Sequence, residues 1–378
     1  MIKPKIGIYR TVYPLCSETF ISEQMRSYSQ YEPVLICRDL IGVVDEFDVI
    51  TLAKHWRRLK KIGFTTLGMS NVFDNNAAFK NLSLIHAHFA PDAVLALSLA
   101  QKLQVPLVTT CHGSDVMVSD SYLIKSKRLT NWRYLVSREK LMQESSLFIA
   151  VSDFLRNAMI QRGYPAEKVV RHYIGIDTTR LVPHKGILPA KGGECFILSV
   201  ARHTEVKGID ILLKAFARVV RLHPMLRLVQ IGGGELTQQL KTLAVQLGIE
   251  NSVDFLGPQP PEKVLTYIQA SKALVLSSRQ AQSGAEEAFG LVLIEAAACG
   301  IPCIGTNVGG ISEALVNNET GFLIETENIE ELAEKISVIV SDSDLANAMG
   351  KRGREMVCDM FDIKTQTKNL EALYERLS

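Results

Sequence analysis

Short apolar runs rich in β-branched residues alternate with helical stretches from one end of the chain to the other, and this alternation most narrows what it can fold into. The order strand, helix, strand is the pattern of βαβ units, whose strands lie parallel in a sheet covered on both faces. Before residue 175 the strand-like runs are Lys5–Tyr9, Pro33–Cys37, Leu84–His86, Pro106–Thr110, Leu147–Val151 and Val169–His172. Helical stretches such as Asp92–Gln101 and Asp153–Arg162 separate them. After residue 194 the runs Cys195–Val200, Arg227–Ile231, Val253–Leu256, Ala273–Leu276 and Pro302–Gly305 alternate with helices near 208–222, 235–247, 261–270 and 291–299. At roughly 100–200 residues per domain, 378 residues predict two doubly wound α/β domains. Between them, Leu181–Gly193 carries two prolines and three glycines with no apolar period. It predicts a linker over 185–193, joining a domain over 1–184 to one over 194–360. Open sheets of this kind bind ligands at the carboxyl ends of their strands, so the cleft between the domains is the expected active site.

Charge and cysteine content remove several function classes. With 42 Lys+Arg against 40 Asp+Glu there is no global reason to expect nucleic acid. The halves differ: residues 1–178 hold 22 Lys+Arg and 16 Asp+Glu, leaving 20 against 24 for the remainder. The two halves therefore face different partners, or different surfaces. Seven scattered cysteines without a CxxC pair argue against a disulfide framework and a zinc site, and fit a reducing cytoplasm. No apolar run approaches the roughly 18 residues of a spanning helix, so the expectation is a cytoplasmic protein, at most peripheral to a membrane.

Two stretches carry chemistry. Strand Cys195–Val200 runs into Ala201-Arg202-His203-Thr204-Glu205-Val206-Lys207-Gly208, which places Arg202 and Lys207 at a strand's carboxyl end beside a helix start. Cations and free backbone N–H groups there suit a phosphate, and a solvated basic turn is the plain alternative. The second stretch is Ser283-Gly284-Ala285-Glu286-Glu287-Ala288-Phe289-Gly290-Leu291-Val292-Leu293-Ile294-Glu295. Glu287 precedes a glycine loop, and Glu295 sits in an otherwise apolar helix, where a carboxylate needs a partner. That partner is either a basic side chain or ligand hydroxyls, with the amides of Phe289, Gly290, Leu291 and Val292 free for a phosphate.

The Glu-x7-Glu spacing of Glu287 and Glu295, the Arg202…Lys207-Gly208 turn, the Gly300-Ile301-Pro302 step and the Gly309-Gly310-Ile311-Ser312-Glu313 loop occur in an order that resembles glycosyltransferase family 4. The resemblance covers most of residues 195–325, and His112-Gly113-Ser114-Asp115 is similar to the family's histidine loop. It implies a GT-B fold of two Rossmann-like domains, with a C-terminal helix over about 361–378 returning to the first. It also implies a retaining, metal-independent transfer of a hexose from a nucleotide diphosphate sugar, with no further cofactor. By the same resemblance Arg202 and Lys207 neutralise the diphosphate, Glu295 holds the ribose, Glu287 sits by the hexose and His112 lies near the anomeric carbon or the sugar's far hydroxyl. Retention in this fold is explained by front-face attack, the leaving phosphate taking the acceptor's proton, so the protein supplies position and charge stabilisation.

Where many relatives have a Gly-Gly pair after the first strand, this chain reads Tyr13-Pro14-Leu15-Cys16-Ser17-Glu18-Thr19-Phe20. That resembles a Ser-Glu-Thr-Phe variant of exopolysaccharide and colanic-acid-type transferases, implying a lipid-linked saccharide acceptor. Ser17, Glu18 and Thr19 become acceptor contacts; alternatively Ser17 or Thr19 is a helix N-cap. His88 and Asp115 are further candidate acceptor contacts, His88 pointing from a strand end into the cleft. His86-Ala87-His88 has a spacing open to metal but no third ligand, and Asp342-Ser343-Asp344 reads as an N-cap. His55–Lys61 and Lys125–Tyr134 interleave basic residues with the chain's two tryptophans, suiting either an anionic membrane surface or a solvated helix face. The remaining alternatives are a silent nucleotide-sugar-binding subunit of a polysaccharide assembly complex and another GT-B activity such as a sugar-nucleotide epimerase. The epimerase differs in needing no acceptor. Neither half has the glycine fingerprint of a nicotinamide dehydrogenase.

Overall fold

The structure, a computed structural model, describes every residue except 1–2, 15–17, 53–60, 66–72, 74–78, 80, 184–194 and 378. The chain divides into two compact units, one of residues 1–175 with 363–378 and one of residues 176–362.

Among the described residues, unit 1 has seven strands: β1 (Lys5–Tyr13), β2 (Glu32–Leu40), β3 (Asp48–Thr51), β4 (Leu82–His88), β5 (Leu107–Cys111), β6 (Leu147–Ala150) and β7 (Val169–Arg171). They are parallel, in the order β3-β2-β1-β4-β5-β6-β7. Unit 2 has β8 (Phe196–Val200), β9 (Arg227–Ile231), β10 (Val253–Gly257), β11 (Ala273–Leu276), β12 (Cys303–Thr306) and β13 (Gly321–Ile324), also parallel, in the order β10-β9-β8-β11-β12-β13. In each sheet the order reverses beside the first strand, between β1 and β4 and between β8 and β11. Crossovers on either side of that point leave to opposite faces, which opens a crevice at the strands' carboxyl ends.

The packing follows from composition. Central strands are apolar on both faces, as a sheet covered by helices requires; Ile6, Ile8, Leu35, Leu84 and Val108 have no exposed surface. The helix Ile209–Leu222 presents Ile209, Leu212, Leu213, Phe216 and Val219 at helical spacing to the core of unit 2. Asp342 is the N-cap of the helix Ser343–Met360, accepting from Leu345 N–H at 2.9 Å, so the Asp-Ser-Asp triplet is a helix start.

Unit 1 ends at Gly175, earlier than the boundary at 184 expected from composition. Residues 176–183 are bound into unit 2: Ile176 N–H donates to Phe361 O (2.9 Å), Thr178 Oγ1 to Asp362 Oδ2 (2.6 Å), and the Arg354 guanidinium to Leu181 O (2.8 Å). Hydrogen bonding fixes the division before the proline- and glycine-rich segment begins, and the expected linker, 185–193, lies outside the described residues. The chain then returns: the helix Ile363–Glu375 belongs to unit 1. Its buried Glu371 accepts from Ser29 N–H and Gln30 N–H, both at 2.7 Å, and from Ser29 Oγ at 2.6 Å. Tyr374 OH lies 2.9 Å from Tyr28 OH and 2.6 Å from His86 Nδ1.

Candidate functional site

At the reversal point of unit 2 the loop after β8 carries Arg202, then a 3-10 turn, Glu205–Lys207, and Gly208 in the left-handed region (φ +56°). A Cβ on Gly208 would lie 2.0 Å from Ser277 O, so only glycine lets this loop rest on the end of β11. Lys207 Nζ donates to Glu287 Oε2, and Ser278 Oγ donates to the same oxygen at 3.1 Å. Ser278 is itself held, its carbonyl accepting from Thr306 Oγ1 at 2.5 Å. The Gly309-Gly310 loop fixes the backbone of Glu287: Gly310 N–H donates to Glu287 O at 2.9 Å, and a Cβ on Gly309 would stand 1.9 Å from that oxygen. Sequence elements separated by up to about a hundred residues thus converge on one carboxylate and one ammonium.

Gly290, also left-handed (φ +90°), caps the helix Leu291–Ala298. Helix starts leave N–H groups unpaired and positive in potential, as an anion requires. The Phe289 ring is buried edge-on against Phe361, 5.4 Å between centroids, so this residue offers its main chain only. Leu291, Val292 and Glu295 are half-buried. One turn after Glu295, burial pushes the Cys299 thiol up to about 12, with the Glu295 charge acting in the same direction and Arg354 and Arg180 opposing it. Arg202 is exposed, with no hydrogen bond fixing its guanidinium among the described residues.

At the reversal point of unit 1 the residues are more tightly bound to one another. Arg10, 8% exposed, donates from Nε and Nη2 to the two oxygens of Glu18 (2.8 and 2.7 Å) and from Nη1 to Asp92. Asp92 also accepts from Thr11 N–H (2.7 Å) and Thr11 Oγ1 (2.6 Å). The guanidinium lies 4.3 Å from the Phe89 ring centroid. Phe89, which starts the helix Ala90–Leu103, has φ +72°, an outlier for a bulky residue and the kind of strain that surrounding contacts must hold. The His112 ring packs on Phe89 (4.4 Å), Phe20 (4.9 Å) and His88 (5.4 Å). His88 Nδ1 and His112 Nε2 are 3.1 Å apart.

Three of the expected acceptor contacts are engaged by bonds within unit 1. His88 is 1% exposed and lies against His112 instead of pointing outward, because this strand is covered on both faces. Asp115, 7% exposed, accepts from Ala90 N–H (2.8 Å) and His112 N–H (3.0 Å), so it fixes the histidine loop to the neighbouring helix start. Both Glu18 oxygens are engaged by Arg10, and Glu18, not Ser17 or Thr19, is the N-cap residue of the helix Thr19–Ser27, without a side-chain cap bond. Thr19 is half-buried at that helix start, and Ser17 lies outside the described residues. In the His86-Ala87-His88 pair both ring nitrogens of His86 are engaged, by Tyr374 OH and Thr110 Oγ1 at 2.6 Å each. Arg10, Asp92 and Ser278 were not among the expected residues. A lone arginine in an apolar strand, an aspartate in an apolar helix and a serine at a strand end were the available signals.

The imidazoles of unit 1 have a thermodynamic consequence. Burial, with His172 adding, pulls His86 down to about 3. The unfolded chain binds a proton here near pH 6.5 and the folded chain does not, so stability present above pH 6.5 is lost as pH falls toward 3. His86 alone is expected to remove roughly 1.5 kcal/mol between pH 6.5 and 5. Both tryptophans precede residue 175, so urea unfolding followed by tryptophan fluorescence at the two pH values reads unit 1; equal midpoints would refute the expectation.

Known proteins match along nearly the whole chain. Residues 183–356 match the model described as glycosyl transferases group 1, and residues 21–180 the model described as Glycosyltransferase Family 4. The N-acetyl-alpha-D-glucosaminyl L-malate synthase of Bacillus anthracis is 30% identical over 321 residues, 82% of this chain and 78% of that protein. The chain belongs to glycosyltransferase family 4. Another relative of this glycosyltransferase is the putative colanic acid biosynthesis glycosyltransferase WcaL of Escherichia coli, 28% identical over 77% of this chain and 70% of that one. Among solved structures, Anabaena HepE in complex with UDP and glucose superimposes with a TM-score of 0.76 at 19% identity, over 99% of this chain and 100% of that one. The sucrose-phosphate synthase of Thermosynechococcus elongatus does so with 0.80 at 22%, over 100% and 99%. The two parallel-sheet units are those of the GT-B fold.

Proposed function

We propose that this glycosyltransferase moves a hexose from a nucleotide diphosphate sugar held by unit 2 to a saccharide acceptor at the carboxyl ends of the unit 1 strands, with retention and without a metal. The observation that carries the reading is the Lys207–Glu287 pair beside the Gly290-capped helix start, which offers a cation and N–H groups for a diphosphate and a carboxylate for sugar hydroxyls. Arg202 and Lys207 neutralise the leaving diphosphate together with the amides of Phe289–Val292; Glu295 takes the ribose, Glu287 the hexose, and His112 faces the sugar. Ser17 and Thr19 contact the acceptor. HepE, solved with UDP and glucose, supports a nucleotide-sugar donor, and WcaL supports a role in exopolysaccharide assembly. In a thermal-shift panel of uridine, guanosine and adenosine diphosphate hexoses, one donor is expected to raise the melting temperature by mass action, equally with EDTA and with magnesium. A shift that requires magnesium, or none with any donor, would overturn the metal-free donor site.

A lipid-linked acceptor would bring the enzyme to a membrane surface at the cytoplasmic face. Among the described residues no helix is long and apolar enough to cross one. On unit 1, however, Tyr122, Ile124, Leu129, Trp132 and Val136 are exposed in and around the helices Asp120–Lys125 and Leu129–Glu144, beside Lys125, Lys127 and Arg128. Apolar side chains among cations suit an anionic headgroup layer. The other basic tryptophan segment, His55–Lys61, lies outside the described residues except for Lys61. Co-sedimentation with anionic liposomes at low salt is expected and should weaken at high salt. Equal retention on neutral liposomes would count against it.

A further inference from the structure

Two neutral imidazoles in contact share one proton between them, and the surroundings of His88 decide which ring provides it. His88 Nδ1 faces His112 Nε2 at 3.1 Å. His88 Nε2 is buried and has no hydrogen-bond partner among the described residues. One face of the ring is covered by His86, stacked at 4.6 Å with its planes 24° apart. If His112 Nε2–H donated to His88 Nδ1, the His88 proton would stand on Nε2 as an orphaned buried N–H, the rarest and costliest kind of unpaired group. If His88 Nδ1–H donates, Nε2 keeps only an unpaired lone pair, and the His112 proton moves to Nδ1. Neither ring escapes by becoming a cation, since burial and the nearby Arg10 charge lower both rings' proton affinity.

We propose that His88 is a positioning residue: its Nδ1–H donates to His112 Nε2, fixing His112 as the Nδ1–H tautomer, so that His112 meets an oxygen of the bound sugar as a neutral donor and not as a base. Asp115 complements this from the main chain by accepting from His112 N–H, so ring and backbone are held by different partners. The sugar oxygen rests on the function proposed above; the tautomer does not.

The test uses the full chain labelled with 15N-histidine, with His112→Gln to assign the His112 signals. Long-range proton–nitrogen spectra are expected to place the His112 proton on Nδ1 in the wild type. His88→Asn, whose amide can donate from the position of Nδ1, should keep that tautomer and nearly full transfer. His88→Leu should switch His112 to Nε2–H and lower kcat/KM by about tenfold, the worth of one hydrogen bond. A His112 proton on Nε2 in the wild type, or on Nδ1 in both variants, overturns the proposal. Tautomers as expected with transfer unaffected by His88→Leu and by His112→Gln would overturn the sugar contact of His112 while leaving the tautomer control by His88 standing.

Discussion

Replacing Lys207 by Ala is expected to lower kcat/KM for transfer by about 10²–10³-fold, the usual effect of removing one preorganised donor from developing negative charge. In the free enzyme the Lys207 ammonium is engaged by Glu287 Oε2, which Ser278 Oγ also holds. On the proposed function, a diphosphate arriving at Lys207 competes with a carboxylate already there. The two partners should consequently part company under mutation. Lys207→Ala weakens binding of the nucleoside diphosphate and of the nucleotide sugar alike. Glu287→Gln keeps an oxygen for Ser278 but removes the competing charge, so calorimetry should find the free diphosphate bound more tightly while transfer of the hexose falls. Parallel loss of diphosphate affinity in both variants would sink this assignment. The pair is mostly buried, with side-chain exposures of 19% and 14%, but Ser278 Oγ still donates to Glu287 when Lys207 is removed, so both variants are expected to fold with some loss of stability.

The largest effect on stability is expected at Arg10. Arg10→Leu leaves Glu18 and Asp92 as two buried carboxylates without their common cation. Breaking a buried pair from one side costs about 3–5 kcal/mol, much of it the desolvation of the charge left behind. The triple variant Arg10→Leu, Glu18→Gln, Asp92→Asn removes all three charges and should recover most of that loss. Urea unfolding followed by tryptophan fluorescence measures both. A loss below about 1 kcal/mol for Arg10→Leu would show that the network is not closed to water.

These two sites also show how far the sequence could be read. Lys207 and Glu287 stand in local patterns, a strand end running into a helix start and a carboxylate before a glycine loop, so both stood out as candidate residues before any fold was known. The Arg10 network was not: Arg10 and Asp92 are 82 positions apart and meet because the sheet order places β4, which leads into the Asp92 helix, beside β1. His88 shows a second limit. Period-two counting separates two faces of a strand, but in a sheet covered on both sides it does not say which face is nearer water. The same blindness hid Asp115, whose carboxylate resembles any ligand contact until Ala90 is found next to it. The edge strands β3 and β13 were missed as well; each is only four residues long, β3 opening on Asp48 and β13 on Gly321. The division at Gly175 escaped because hydrogen bonds to residues 354–362, not chain composition, set it.

The return of the helix Ile363–Glu375 to unit 1 bears on how the molecule is made. During synthesis residues 1–175 leave the ribosome first, yet Ser29, Gln30, Tyr28 and His86 must wait for Glu371 and Tyr374, the last of the unit to emerge. Unit 2 is contiguous, and its residues have all left the ribosome before that helix does. The half translated first is therefore finished last, and until then its unpaired backbone amides and imidazole are what a nascent-chain chaperone would meet.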